Sequence, residues 1–203
     1  MNFTLSSKPI SSIKADSIVV ALPEKGEWPA TTQQVDEALG GLLGQLEKSG
    51  DISGKRGSCQ LIPLTGHPWS RVLVVGTGAD KDRTPTNFRK VITAAIGQIK
   101  DGIAPHALIA LADTSTTGDE QASSESNRLN LIGRALEEQL YTFTDYKSEK
   151  PAARKLKKVT VAASAASKPL KSAFELGLAT GHQSRMAREF GPFGSEVYAK
   201  EEL

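Results

Sequence analysis

Glycines at the end of an apolar run are the first residues in this sequence that could do chemistry. Gly76 and Gly78 follow the run 71–75, and glycines placed after a strand let backbone N–H groups approach a phosphate. The third glycine of the dinucleotide fingerprint is absent, and Asp80 and Asp82 follow closely and would repel an anion. We therefore interpret these glycines as a turn that ends a strand rather than as a nucleotide site.

Imidazole and thiol groups are the next candidates, and the sequence has three histidines and one cysteine. His67, His106 and His182 lie on different predicted elements, and none stands at i, i+4 with another ligand. Cys59 lies in an apolar strand, where a thiol usually only packs, and a single cysteine excludes an internal disulfide. We expect no metal site and no catalytic residue. A Ser–His–Asp or Cys–His arrangement assembled by the fold stays open, although no nucleophile-elbow motif is present.

A run of basic residues is the third candidate. The sequence carries 25 Lys plus Arg against 23 Asp plus Glu, a net charge of +2, so the overall balance gives no strong preference for nucleic acid. Between residues 147 and 158, however, only Glu149 opposes a cluster of cations, namely Lys147, Lys150, Arg154, Lys155, Lys157 and Lys158. Such a run is typical of a solvated linker or a helix cap. The alternative is a nucleic-acid contact, in which clustered cations release counterions from phosphates.

Short apolar runs alternate with amphipathic stretches, and these elements must position the candidate groups. Period-two or continuous apolar patterns predict strands at residues 2–7, 17–22, 59–64, 71–76, 107–112 and 159–163. Apolar residues three to four apart predict four helices. The first is capped by Thr31 or Thr32, and the second is capped by Thr86 and turns its apolar face inward, namely Phe88, Val91, Ile92, Ala95, Ile96 and Ile99. The third covers residues 125–143, the fourth covers residues 168–190, and the third has one buried apolar stripe, namely Leu129, Ile132, Leu136, Leu140 and Phe143. Strands alternating with helices indicate the α/β class, a three-layer α/β/α sandwich with a mixed sheet of about six strands.

The strands at residues 59–64 and 71–76 lie close together in the sequence. A turn at His67 and Pro68 joins them, which predicts antiparallel pairing, and we expect this pair to form the centre of the sheet. The 2–7 strand has one apolar face and is predicted at an edge.

Glycines and small polar residues interrupt the predicted elements in two places. Gly40, Gly41 and Gly44 fall in the first helix, where each costs up to about 1 kcal/mol relative to alanine. Either another backbone approaches the helix there or the helix tolerates the glycines, and both explanations stay open. Residues 114–126 are small and polar and predict a surface loop.

Several short motifs occur in an order that resembles one known family. They are SIVVAL near the start, Gly50-Asp51 with Gly54-Lys55 and Gly57, RVLVVGTG, Leu140-Tyr141-x-Phe143 leading to Tyr146-Lys147-Ser148, and Gly177-Leu178-Ala179 leading to Met186-Ala187-Arg188-Glu189. In this order they resemble the N-terminal domain of leucyl (cytosol) aminopeptidases over nearly the whole chain. The resemblance implies a macro-domain-like sandwich that a helix joins to a C-terminal peptidase domain.

Members of that family act through the C-terminal domain. The resemblance implies a peptidase domain that binds two divalent metals (zinc, manganese or magnesium), removes N-terminal amino acids and assembles as a hexamer. The family's metal ligands and its catalytic lysine and arginine belong to that domain, whose signature resembles N-T-D-A-E-G-R-L. No such motif occurs in these 203 residues, so no catalytic or metal-binding residue is carried over. We expect this chain to hold no cofactor and to be inactive alone.

The resemblance also divides the chain. Residues 1–167 are expected to form the macro-like domain, residues 168–191 a linker helix toward a peptidase domain, and residues 192–203 a truncated tail. Relatives continue through an Asn-x-Pro-Pro-Asn segment, whereas this sequence reads FGPFG at 190–194 and stops at Leu203. Truncation, an excised domain and a stand-alone protein all stay open.

Location and function are predicted from the same features. No apolar run approaches the roughly 20 residues that cross a bilayer, and the first residues lack a signal-peptide pattern, so we expect a cytoplasmic protein without a membrane partner.

The first functional hypothesis is a non-catalytic domain that serves assembly and access to the peptidase site, with its own peptidase domain and a homo-oligomer as partners. The second is a DNA-binding module, since some bacterial members act as recombination accessory factors and regulators. The third, from fold analogy alone, is a retained nucleotide or ADP-ribose pocket.

Overall fold

The computed structural model describes residues 1–118, 124–140 and 155–200, and the side chains of these residues as far as Met186. The described strands form one sheet and are β1 Asn2–Ser6, β2 Ser17–Pro23, β3 Cys59–Pro63, β4 Arg71–Gly78, β5 His106–Ala110 and β6 Lys158–Ala162. The described α-helices are α1 Ala30–Ala38, α2 Leu42–Ser49, α3 Pro85–Lys100, α4 Glu125–Leu140 and α5 Lys168–Lys200. Short 3₁₀ turns cover Ile10–Ser12 and Asp80–Asp82.

The sheet is mixed, as predicted. Its strand order is β1-β6-β5-β2-β4-β3, and every neighbouring pair is parallel except β3 and β4, which are antiparallel. The predicted antiparallel pairing is therefore confirmed, and so is the position of β1 at an edge. Parallel neighbours need long crossover connections, which the helices supply.

The centre of the sheet is formed by β2 and β5 rather than by the β3–β4 pair. Every residue of β2 is buried, and Ile18 lies opposite both Val72 of β4 and Leu108 of β5. β3 forms the second edge, and its Leu61 is 48% exposed. The prediction of a central pair is wrong because strands covered on both faces are continuously apolar, which holds for β2 and β5 but not for β3.

Helices cover both faces of the sheet and create two apolar cores. α3, α4 and α5 pack on one face, against side chains such as Val19 and Leu73. α1, α2 and the Ile10–Ser12 turn pack on the other face, against side chains such as Ile18 and Val72. The predicted three-layer α/β/α sandwich is therefore confirmed. Within the described ranges, no helix combines the length and apolarity that crossing a membrane requires.

α3 has the predicted buried face but a different cap. Its inward side chains are the expected ones, Phe88, Val91, Ile92, Ala95, Ile96 and Ile99. Thr84, not Thr86, caps the helix, because its Oγ1 accepts a hydrogen bond from the Asn87 N–H at 3.3 Å. Pro85 occupies the first helical position, where its missing N–H costs nothing, so the Thr-Pro pair is the stronger start signal.

The first predicted helix is in fact two helices. Gly40 and Gly41 have φ values of +68° and +80°, a left-handed conformation that separates α1 from α2. No atom lies within 4 Å of a Cβ built at either glycine, so close approach of another backbone does not explain them. Asp36 then caps α2, since its Oδ1 accepts from the Leu43 N–H at 2.7 Å. The glycines set the turn between the two helices.

The contact between α4 and α5 requires glycine. A Cβ at Gly177 of α5 would lie 2.1 Å from the Asn130 carbonyl oxygen of α4. A Cβ at Gly133 of α4 would lie 2.6 Å from the Phe174 carbonyl oxygen of α5. No real Cβ comes so close to another heavy atom, so the two backbones touch directly. Phe143, predicted on the buried stripe of α4, lies outside the described residues.

A buried carboxylate joins α3 to α4. The Glu138 side chain is 5% exposed and pairs with Arg89 and Arg134, each at 2.8 Å. Burial alone raises the pKa of Glu138, but hydrogen bonds from both arginines and their charges outweigh it and hold the pKa below its ordinary value. Glu138 is therefore ionised at neutral pH and cross-links the two helices.

We predict that Gly177→Ala lowers the free energy of unfolding by about 1–3 kcal/mol, because the added methyl group forces α4 and α5 apart. Urea unfolding followed by circular dichroism measures the effect. Gly97→Ala is the matched control, since nothing lies within 4 Å of its Cβ position in α3, and it should raise stability by up to about 1 kcal/mol. Equal effects in the two variants would contradict direct backbone contact.

Candidate functional site

The glycines at the end of β4 pack against a turn instead of facing a ligand. The Gly76 N–H donates to the Ser58 carbonyl at 2.8 Å, and the Gly78 N–H donates to the Gly54 carbonyl at 2.8 Å. A Cβ at Gly76 would lie 2.0 Å from the Lys55 carbonyl oxygen, so only glycine lets the turn approach. β4 continues through Gly78, so both glycines belong to the strand. Because both N–H groups have partners, they are not available to a phosphate.

The histidines lie apart in the fold. His67 and His182 are exposed, while His106 begins β5 and its Nε2 shares a hydrogen bond with Thr160 Oγ1 at 2.9 Å. Burial lowers the pKa of His106, and the charge of Lys158 lowers it further. Within the described part of the chain, no three His, Cys, Asp or Glu side chains are grouped so that they could hold a metal ion.

The thiol of Cys59 is placed for packing. The residue is half-buried on the edge strand β3, and burial raises the pKa of its thiol. The thiol is therefore protonated at neutral pH, and a protonated thiol is a poor nucleophile and a poor metal ligand.

The basic run is described only in part. Lys155, Lys157 and Lys158 are exposed beside the start of β6. The Lys157 and Lys158 N–H groups donate to the Pro105 carbonyl at 2.8 and 3.1 Å, which ties this segment to the entrance of β5. Outside the described residues lie the other three members of the run, Lys147, Lys150 and Arg154.

A cleft lies where the central parallel strands end. A cavity of about 410 Å³ opens beside the last residues of β2 and β4, with Trp28, Thr77, Arg83, Asp113 and Thr114 in its wall. A second cavity of about 370 Å³ lies beside the ends of β1 and β6 and shares Asp113 with the first. The chain leaves β2 toward α1 on one face and leaves β5 toward α4 on the other face. Open α/β sheets bind ligands where connections diverge in this way.

Asp113 joins the cleft to the start of α1. Its Oδ2 accepts from the Thr31 N–H at 2.8 Å, and both of its carboxylate oxygens lie 2.8 Å from Thr31 Oγ1. A carboxylate in this position caps the helix and is favoured by the helix dipole. The predicted Thr31 and Thr32 caps are therefore wrong, since Thr31 is a donor here and the Thr32 hydroxyl donates to the Ala21 carbonyl at 2.8 Å. The capping group comes from 82 positions away in the sequence.

Arg83 is held by acceptors around the cavity wall. Its Nη1 donates to Ser115 Oγ at 2.5 Å, its Nη2 donates to the Lys25 carbonyl at 3.0 Å, and it forms an ion pair with Asp80. The Nε of Arg83 and the Oγ1 of Thr114 are both buried, and neither has a hydrogen-bond partner among the described residues. The wall therefore contains polar atoms that no described protein group satisfies.

Arg128 supports the cleft from behind. It is buried, and its Nε donates to the Ala112 carbonyl at 2.6 Å while its Nη1 donates to Thr116 Oγ1 at 3.4 Å. Burial lowers the pKa of Arg128, but a guanidinium remains charged at any physiological pH. In the surface loop expected here, Ser115 and Thr117 are exposed as predicted, but Thr114 and Thr116 are buried, with 2% and 8% exposure. Residues 119–123 of that loop lie outside the described ranges.

Trp28, Asp113 and Thr114 are not among the residues that the sequence singled out. A signal for two of them was present, because Asp113 and Thr114 directly follow the apolar run 107–112 that contains β5. Polar residues that follow a buried parallel strand lie at the ligand-binding edge of the sheet. Trp28 carried no comparable local signal.

Comparison with solved structures defines the class of fold. The macro domain of ganglioside induced differentiation associated protein 2 matches with a TM-score of 0.62 at 10% identity, over 88% of this chain and 85% of that one. A Trypanosoma brucei macrodomain in complex with ADP matches with a TM-score of 0.56 at 15% identity, over 87% and 69%. A tomato leucine aminopeptidase mutant matches with a TM-score of 0.63 at 17% identity, over 87% and 35%. The fold is therefore a macro-type α/β/α sandwich, as expected.

Comparison of sequences identifies the family. The N-terminal domain of the cytosol aminopeptidase family matches residues 18–150. The cytosol aminopeptidase of Pseudomonas aeruginosa is 31% identical over 164 residues, which are 80% of this chain and 32% of that protein. A probable cytosol aminopeptidase of Alkalilimnicola ehrlichii is 32% identical over 201 residues, which are 97% of this chain and 40% of that protein. The chain therefore belongs to the cytosol aminopeptidase family, as its N-terminal domain, and the predicted family is confirmed.

Proposed function

We propose that this chain is the non-catalytic N-terminal domain of a leucyl aminopeptidase, and that it serves assembly of the enzyme and access to its peptidase site. The supporting observation is that the family match is to the N-terminal domain, while the chain spans only 32% and 40% of two relatives. In this proposal, metal-dependent removal of N-terminal amino acids belongs to the rest of such a protein. The two divalent metals, the hexameric assembly and the cytoplasmic location are proposed with it.

The chemistry of the described residues supports a role without catalysis. Two-metal hydrolysis needs a cluster of ligands that holds the ions about 3.5–4 Å apart, and the described residues contain no group of three candidate ligands. The raised pKa of the Cys59 thiol keeps it protonated, and Thr160, whose hydroxyl His106 contacts, is buried at 3% exposure, so neither the thiol nor the hydroxyl is available for nucleophilic attack. We assign no catalytic step to these residues.

Within this proposal, α5 is the element that leads toward a peptidase domain, and the domain boundaries at residues 167 and 191 stay predictions. The helix packs on α4 through Gly177 and presents Leu176 to solvent at 62% exposure. Substitution of an apolar side chain that is exposed on this helix tests whether another domain docks there. A comparable leucine, Leu61, is 48% exposed on the edge strand β3 and provides the control.

We predict that the purified chain, supplied with Mn²⁺ or Zn²⁺, releases no product from leucyl-p-nitroanilide above the rate of the metal alone. The full-length P. aeruginosa cytosol aminopeptidase, assayed in the same buffer, is the positive control. Turnover that coelutes with the chain in gel filtration and stops on addition of a chelator would show that the chain is itself a catalyst.

We predict that the chain co-purifies with the remaining C-terminal part of the P. aeruginosa relative when the two are co-expressed. Leu176→Gln should reduce the co-purified fraction without lowering the chain's own unfolding midpoint, because the side chain is exposed. Leu61→Gln should leave both quantities unchanged. Failure of the unsubstituted chain to co-purify would count against the assembly role, and equal losses in both variants would count against α5 as the contact.

We propose DNA binding as a second candidate, on a narrower observation. Lys155, Lys157 and Lys158 are exposed and take part in no salt bridge with another described residue. With the remaining members of the run they would concentrate cations within residues 147–158, where a phosphate backbone could displace their counterions.

We predict that, if this second function is correct, affinity for a short DNA duplex falls steeply with salt in a gel-shift series. Alanine at Lys155, Lys157 and Lys158 should weaken binding and lower the salt slope by about three, because each lysine neutralises about one phosphate. The matched control replaces three exposed lysines elsewhere on the surface, Lys25, Lys48 and Lys90. Binding that ignores salt, or an equal loss in the control, would rule out this segment.

A further inference from the structure

The cavity at the ends of β2 and β4 has an acidic wall. Glu27, Asp80 and Asp113 belong to it, against a single cation, Arg83. Arg83 is already paired with Asp80, so the carboxylates of Glu27 and Asp113 form the negative excess of the wall. A concave site with such an excess attracts cations and repels anions.

Most of the groups that could hold an anion near this cavity are engaged elsewhere, and the unpaired donor of Arg83, its Nε–H, is buried. Both terminal nitrogens of Arg83 have protein acceptors. Arg128 lies behind the wall and interacts with Asp113, so it offsets part of the charge of Asp113 and leaves the charge of Glu27 in the wall. The glycine N–H groups at the end of β4 donate to the neighbouring turn. Among the described wall groups, a nucleotide phosphate would therefore meet carboxylates and a single unpaired donor, the buried Nε–H of Arg83.

Thr114 supplies an independent indication of a ligand. It is 2% exposed, it lines the cavity, and its Oγ1 has no hydrogen-bond partner among the described residues. Buried hydroxyls are nearly always satisfied by protein, water or ligand, since an unpaired one is costly. Next to it, Asp113 keeps acceptor capacity, because a carboxylate offers about four lone-pair sites and Thr31 supplies two donors, its N–H and its hydroxyl.

Trp28 adds an aromatic surface to the same wall. Its side chain is half-buried and lines the cavity together with Glu27. The face of an indole attracts an ammonium group through the ring quadrupole, and this attraction strengthens when water is excluded. A carboxylate, a buried hydroxyl and an indole side chain thus line one cavity.

We propose that this cavity binds a primary ammonium group, as carried by amino acids, peptide N-termini or lysine side chains. Asp113 and Thr114 Oγ1 accept hydrogen bonds from the ammonium, Glu27 adds charge at the rim, and Trp28 covers the carbon chain. An ammonium has three donors and no acceptor, which matches a wall that offers acceptors. Binding of this kind is separate from the proposed assembly role and does not require a peptidase domain.

The experiment titrates the chain with small-molecule probes, and calorimetry and the NMR signal of the Trp28 indole N–H both measure their binding. L-leucinamide, a cation, should bind saturably and shift that signal. N-acetyl-L-leucinamide has the same side chain without the charge and should bind at least about tenfold more weakly, since a charge-assisted hydrogen bond is lost. ADP-ribose, an anion, should not bind.

Two variants and a control locate the site. Thr114→Val removes only the unpaired hydroxyl, so it should keep or raise the unfolding midpoint while weakening L-leucinamide binding about tenfold. Glu27→Gln removes an exposed rim charge and should weaken binding about two- to fivefold. Asp101→Asn neutralises an exposed carboxylate beyond the end of α3 and should leave affinity unchanged. Asp113 is left intact because its loss would also uncap α1.

The outcomes separate the alternatives. Equal affinity for the acetylated probe would mean that the cavity recognises apolar surface, and binding of ADP-ribose in place of L-leucinamide would mean that it recognises anions. No binding of any probe, or the same loss in Asp101→Asn as in Thr114→Val, would also overturn the proposal. Nα-acetyl-L-lysinamide distinguishes the source, since binding equal to that of L-leucinamide would identify any primary amine as the ligand rather than an α-ammonium group.

Discussion

The burial of β2 and β5 on both faces is the constraint on which the rest of the structure depends. Parallel strands can be joined only by crossovers that return over the sheet, so the two central strands require helices on both sides. The same arrangement makes these strands end together at one edge. Trp28 follows β2 there, and Asp113 and Thr114 follow β5, so polar side chains collect at the one edge where the connections diverge.

Glycine contacts explain why the short motifs of this family have the form they do. A Cβ at Gly54 would lie 2.1 Å from the Pro23 carbonyl oxygen, and one at Gly76 would lie 2.0 Å from the Lys55 carbonyl oxygen. These positions let a turn lie directly on the ends of β2 and β4. Gly177 does the same for α5 on α4. These glycines, which carry part of the family resemblance, are therefore packing residues, and their pattern reports a fold rather than a reaction.

A shared fold does not impose a shared ligand. Open α/β sheets place a cleft at the edge where the connections diverge, but the side chains on its loops select what enters. In this chain the cleft wall carries carboxylates, its arginine is already paired, and a buried threonine hydroxyl remains unsatisfied among the described residues. The chemistry of the cleft therefore follows from loop residues that can change without disturbing the buried strands.

The sequence by itself determined the α/β class, the approximate positions of the strands, the antiparallel β3–β4 pair and the buried face of α3. These features depend on apolar periodicity or on a short turn, so neighbouring residues are sufficient to specify them. Only the tertiary structure decided that β3 lies at an edge, that Asp113 caps α1, and that Thr114 is buried in a cleft wall. The physical reason is distance along the chain: Asp113 meets Thr31 across 82 positions, and such a meeting depends on which strands become neighbours.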